Sequence, residues 1–173
     1  MFRFLAGLLI LSCLATAQQP LPRKAPDLAI QVGDEKFAWL SEHAGKTRIV
    51  AVIETTCPHC QYTTGILNKL QKEYAARGVE ILATAVEPMS SLHVPDFKKQ
   101  FQPQFLVGFN DQKYAAKFLG LKENDPFFVP QLVFVDKSGV IRAHFAGDDP
   151  AMQTAVQEKR LRETLELVLK EGK

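Results

Sequence analysis

Two cysteines stand two residues apart in the run Cys57-Pro58-His59-Cys60, where an apolar strand hands over to a helix. A pair at this spacing on a helix N-terminus can close and open a disulfide with little backbone movement. The unpaired N–H groups and positive dipole end of the helix stabilise the first sulfur as a thiolate. The thiolate is the species that attacks disulfides, so the segment points to thiol–disulfide exchange. Cys57, nearer the helix end, is expected to be the nucleophile. Cys60, one turn inside, is expected to resolve the mixed disulfide. His59, between the sulfurs, is placed to stabilise a thiolate, which favours the reduced form and raises the reduction potential.

Other chemistries compete for the same residues. Two thiolates plus His59 could hold a soft ion such as Cu(I), as in an exported copper carrier. A zinc site wants four ligands, and the chain has no second Cys-x-x-Cys and no histidine pair at ligand spacing. Covalent haem attachment requires a histidine where Gln61 stands. The expected chemistry therefore needs no metal and no cofactor beyond the redox-active disulfide itself. Its partners are protein thiols and disulfides, together with an upstream redox partner.

The rest of the chain bounds the setting. It has 173 residues, 46% hydrophobic and 23% charged, enough for one domain with a full core. A formal net charge of +2, without long like-charge runs, gives no case for nucleic acid or acidic lipid. Residues 1–17 read as a secretory signal peptide: a basic start at Met1-Phe2-Arg3, an apolar stretch from Phe4 to Leu14, and a small-residue cleavage site at Ala15-Thr16-Ala17. Export, to a bacterial periplasm, follows as the expectation, with a mature chain starting at Gln18. Bulky Leu11 fits a lipid-attachment signal poorly, which leaves lipid anchoring at Cys13 a minor alternative. No later segment approaches the ~20 apolar residues of a membrane span. The mature chain keeps only Cys57 and Cys60, a tight pair that closes almost no loop and so adds little stability. Its value is chemical.

Residues 18–25, with Pro20 and Pro22, read as an extended lead-in, and residues 26–173 as the domain. Leu28–Val32 and Lys36–Leu40 flank Gly33-Asp34 as a hairpin, and Ser41–Ala44 forms a short helix ended by Gly45. Arg48–Ile53 is a β-branched run suited to a strand buried on both faces. Pro58–Arg77 is helical, with Ile66, Leu67, Leu70 and Tyr74 on one side and Gly78 as terminator. Val79–Val86 is the next strand. The prolines between 88 and 104 leave only a short amphipathic piece at Phe97–Phe101. Phe105–Phe109 reads as a strand, and Asn110 as the N-cap of a helix to Leu119. Gln131–Val135 and Val140–Phe145 flank the turn Asp136-Lys137-Ser138-Gly139, a strong hairpin signal. Pro150–Glu171 closes the chain as a helix with Val156, Leu161, Leu165, Val168 and Leu169 inward. Strands joined by helices require parallel pairing, while the late hairpin is antiparallel, so a mixed sheet between helices follows.

This order, with Cys-x-x-Cys after the first buried strand and Pro130 opening the late hairpin, resembles the thioredoxin-like fold. More narrowly it is similar to the exported TlpA-type and AhpC/TSA-like branch, through Ala25-Pro26-Asp27, Gly45-Lys46, the extra βα unit before the hairpin and the Asp136–Gly139 turn. The resemblance covers roughly residues 25–170. It implies a three-layer α/β/α sandwich with a mixed central sheet, an N-terminal β-hairpin and a βα insertion. It also implies a cis proline at Pro130 beside the cysteines, with the Val129 backbone docking a substrate strand. The departures are specific. The buried acid of thioredoxins is Ala51, the glutamate of TlpA-type reductases is Thr63, and the tryptophan before the motif is Thr56. Glu54 is the nearest carboxylate left to accept a proton from Cys60. The dipeptide Pro58-His59 matches the strongly oxidising DsbA-type enzymes, whose long helical insertion has no room before Pro130. A peroxiredoxin-like peroxidase is the third reading. That family places a threonine three residues before its reactive cysteine, where this chain has Glu54.

Overall fold

The computed structural model describes residues 20–172. The expected signal peptide and Cys13 lie outside the described residues. The fold is organised by β4 (Thr47–Ile53), which is buried along its whole length. Its side chains alternate: Ile49, Ala51 and Ile53 enter one core, Val50 and Val52 the other. β5 (Val79–Ala85) pairs parallel to it on one side and β7 (Gln131–Val135) antiparallel on the other. β6 (Leu106–Phe109) extends the parallel part, and β7 returns through the expected hairpin to β8 (Val140–Phe145). The N-terminal hairpin of β2 (Ala29–Gly33) and β3 (Lys36–Trp39) docks antiparallel on β6. Together with β1 (Arg23–Lys24), this is one eight-stranded mixed sheet in the order β1-β8-β7-β4-β5-β6-β2-β3.

Helices cover both faces, giving the three-layer sandwich. On one face lie α1 (Pro58–Tyr74), α2 (Ser90–Phe101) and α4 (Gln157–Glu171), burying Ile66, Leu67 and Leu70, Val94 and Phe97, and Leu161, Leu165 and Val168. On the other lies α3 (Gln112–Leu119) with Ala115, Phe118 and Leu119, beside Leu28, Ile30 and Leu40. Asp136, fully buried, ties the β7–β8 turn: its carboxylate accepts from Ser138 N at 2.8 Å, Val140 N at 3.0 Å and Arg142 Nε at 2.7 Å. Gly139 completes that turn at φ 82°, where a side chain is strained.

Four local expectations are corrected. The lead-in is extended but not free of the sheet, because Arg23 and Lys24 pair with Ile141 and Val140. The segment after β5 is a full helix from Ser90 to Phe101 with Pro95 inside it. Burial of Val94 and Phe97 outweighs the hydrogen bond that a mid-helix proline removes. The cap of α3 is Asp111, whose carboxylate accepts from Lys113 N at 2.7 Å, while Asn110 uses its amide on Ala29 O. The final helix starts only at Gln157, after a 3-10 turn at Pro150–Met152, and Val156 at its cap is exposed rather than inward.

Candidate active site

The handover from β4 to α1 sits at the carboxyl ends of the parallel strands, between β5 and β7. Cys57 caps α1 in an extended conformation (φ −74°, ψ 118°), and Pro58 occupies the first helical position, where the missing N–H costs nothing. The Cys57 sulfur accepts from Cys60 N at 3.4 Å, so the amide of the helix's first turn points at it. Cys57 is half-buried, whereas Cys60 is fully buried, and both are free thiols in this state. The Cys60 sulfur accepts from Glu54 N at 3.4 Å. Burial pushes the Cys60 thiol far above the ordinary cysteine range, against the smaller opposing pull of the Glu54 amide. The two sulfurs are therefore unlike: one faces solvent at a helix N-terminus, and the other is kept as a protonated thiol behind it.

The remaining sequence candidates fall around this pair unevenly. His59 lies in the same turn, half-buried, and its Nε2 is buried with no hydrogen-bond partner among the described residues. It thus makes no Nε2 bond to either sulfur in this state. The Val129–Pro130 bond is cis, Pro130 is buried, and Val129 packs against the core cluster that holds Cys60 and borders Cys57. Gly147 supports this loop. Its N–H donates to Phe128 O at 3.3 Å, and a Cβ there would fall on the Val129 carbonyl. Phe127 packs into the α3-side core, and Phe128 is exposed beside the loop.

The two positions where the resemblance places a carboxylate hold none. Ala51 is fully buried in β4, and Thr63 is buried with its hydroxyl accepting from Gln157 Nε2 at 2.8 Å. Glu54 touches Cys60 through its backbone amide and its charge bears on that thiol. The sequence reading missed Glu87, at the carboxyl end of β5, whose Oε1 accepts from Thr55 N at 3.0 Å and from the Thr55 hydroxyl. Its only sequence signal is a carboxylate directly after an apolar strand. Among the described residues, no group of three or more His, Cys, Asp or Glu gathers as a metal site. No helix among them is long and apolar enough to cross a membrane.

Comparison with known proteins agrees with this geometry. The Redoxin family matches residues 22–163. A thiol-disulfide oxidoreductase ResA of Bacillus cereus is 24% identical over 131 residues, covering 76% of this chain and 72% of that protein. Two solved structures share the fold. A thiol:disulfide interchange protein of the thioredoxin family from Chlorobium tepidum superposes with a TM-score of 0.68 at 21% identity, covering 87% of this chain and 99% of that one. The thioredoxin domain of a thiol-disulfide oxidoreductase from Bacteroides vulgatus superposes with a TM-score of 0.66 at 17% identity, covering 90% and 99%. The chain belongs to the Redoxin family and, with it, to the thioredoxin-like, TlpA-type oxidoreductases.

Proposed function

We propose that the chain is an exported thiol–disulfide oxidoreductase that works on protein substrates through Cys57 and Cys60. One observation carries the reading: a half-exposed cysteine caps α1 with the Cys60 amide on its sulfur, and a fully buried thiol lies one turn behind it. Acting as a reductant, the Cys57 thiolate attacks a substrate disulfide. One substrate sulfur leaves as a thiolate and takes a proton, and a Cys57–substrate disulfide forms. Cys60 then gives up its proton and attacks the Cys57 sulfur. The second substrate sulfur leaves, and the pair is oxidised by two electrons as the substrate disulfide becomes two thiols. Oxidation of a substrate is the same path reversed. Val129, next to Pro130 and packed against the core cluster that holds Cys60, offers its backbone to the substrate strand. His59 tunes the balance from the first turn of the helix. No resident cofactor takes part, and an upstream redox partner resets the pair.

Replacing Cys57 with Ser is expected to abolish disulfide exchange. Replacing Cys60 with Ser is expected to accumulate mixed disulfides with protein partners, visible on non-reducing gels. Wild-type exchange by both variants would end the proposal. The equilibrium potential of the pair assigns the direction. A value near ~ −270 mV makes the protein a reductase, and one near ~ −120 mV a disulfide donor in which His59 dominates.

A further inference from the structure

Of the peptide units that lead from β4 toward Cys57, the first two are held at both ends and the third at its carbonyl. Ile53 O accepts from Val86 N at 3.0 Å, and the next N–H, that of Glu54, donates to the Cys60 sulfur. Glu54 O accepts from Cys57 N at 3.3 Å, and the Thr55 N–H donates to Glu87. Thr55 O accepts from Gln61 Nε2 at 2.9 Å. Apart from strand pairing at Val86, every one of these partners comes from the cysteine motif and its helix except Glu87. Its carboxylate takes both donors of Thr55, a residue only 5% exposed, on a single oxygen. The other oxygen, Oε2, is buried and has no partner among the described residues. A half-buried carboxylate at a strand end, spent on one backbone amide and one hydroxyl, is costly unless the loop needs fixing.

We infer that Glu87 is a positioning residue for Cys60. It fixes the Glu54–Thr55 peptide, and so keeps the adjoining Glu54 N–H aimed at the Cys60 sulfur. That amide matters only when Cys60 carries negative charge, because a backbone donor stabilises a thiolate far more than a thiol. Cys60 carries that charge in one step of the exchange. It attacks the Cys57 sulfur of the mixed disulfide as a thiolate: the Cys57–Cys60 bond forms, the Cys57–substrate bond breaks, and the substrate sulfur leaves as a thiolate and takes up a proton. The reverse step expels Cys60 as a thiolate, and the same amide stabilises it. Capture of the substrate by Cys57 needs no charge on Cys60. Glu87 therefore controls the second step and leaves the first nearly alone.

This inference rests on Cys57 and Cys60 being the redox pair, which mixed-disulfide trapping in the Cys60→Ser variant establishes independently of Glu87. The test measures both steps by stopped flow, with a peptide bearing a single mixed-disulfide leaving group. In Glu87→Ala, substrate capture stays within about twofold of wild type and release slows about tenfold, as both bonds to Thr55 are lost. Glu87→Gln keeps an acceptor oxygen for both donors and restores release to within about twofold. Equal slowing of both steps in Glu87→Ala, or unchanged release, overturns the inference. So does Glu87→Gln being as slow as Glu87→Ala, since charge rather than position would then be at work. Should Glu87→Ala fail to fold, Thr55→Val removes the hydroxyl donor and keeps the amide. Release about threefold slower is expected from it, and a wild-type rate overturns the inference.

Discussion

The two sulfurs of the site differ in solvent access and in what touches them, and this asymmetry carries the chemistry. Cys57 is half-exposed at the end of a helix, and Cys60 is fully buried with its thiol pushed up by that burial. In a chain prepared from Gln18 onward, iodoacetamide at neutral pH is therefore expected to add one adduct to the reduced native protein, at Cys57, and two after denaturation. Peptide mapping by mass spectrometry reads this directly, and a native adduct at Cys60 would contradict the assignment of roles. The cysteine pair was legible in the sequence because its chemistry depends on spacing and on one local event, the start of a helix. Glu87 was not, because its partner Thr55 lies 32 residues away and meets it only through the parallel pairing of β4 with β5. Nothing in the neighbourhood of Glu87 along the chain marks it as part of the site.

Among the elements, the loop carrying Pro130 depends on one close approach. Gly147 follows β8, and its Cα lies so near Val129 that an added Cβ would meet the Val129 carbonyl carbon at 2.7 Å. Backbone cannot yield as a flexible side chain can, so Gly147→Ala must displace one of the two loops. The expected cost is about 1–3 kcal/mol of stability, the range for forced overpacking. Exchange with protein substrates should weaken further than with a small disulfide, because Val129 is the proposed docking backbone and Cys57 is not touched. Chemical denaturation together with the two exchange assays checks both parts. The elements themselves were readable wherever periodicity or a turn residue spoke clearly, as in β4, α1 and the β7–β8 hairpin. They were misread where packing overrides local preference. Pro95 sits inside α2 because Val94 and Phe97 anchor the helix on the core, and Phe97 stacks 4.9 Å from Phe101. β1 is too short to show a pattern, and it exists only because the edge of β8 offers it partners.

Across the whole molecule, the far side of the sheet ties the site loop to acid stability. His144 lies on β8 opposite Val133, and its Nε2–H donates to Gln131 Oε1 at 2.7 Å, directly after Pro130. Burial first, and then the Arg23 positive charge brought in by β1, push His144 down from 6.5 to about 4, with Asp149 opposing weakly. Above pH 6.5 the ring is neutral in both the folded and unfolded chains, and its environment costs nothing. Between 6.5 and 4 the unfolded chain takes a proton that the folded chain refuses, so stability falls as pH drops. Below 4 both states are protonated and the loss levels off at about 3 kcal/mol. Asp136 acts in a lower window. Burial would raise its carboxyl, but the Val140 and Ser138 amides and the Arg142 guanidinium outweigh burial and hold it below its ordinary 3.8. Its contribution is present above that value and disappears as pH falls further. Urea midpoints between about pH 7 and pH 4 should therefore drop in the wild type and drop less in His144→Phe, which has no ring proton to take up. Equal slopes for the two proteins would mean that His144 is not held neutral by its surroundings. In that case the polar link from β8 through Gln131 to the Pro130 loop would carry no acid sensitivity.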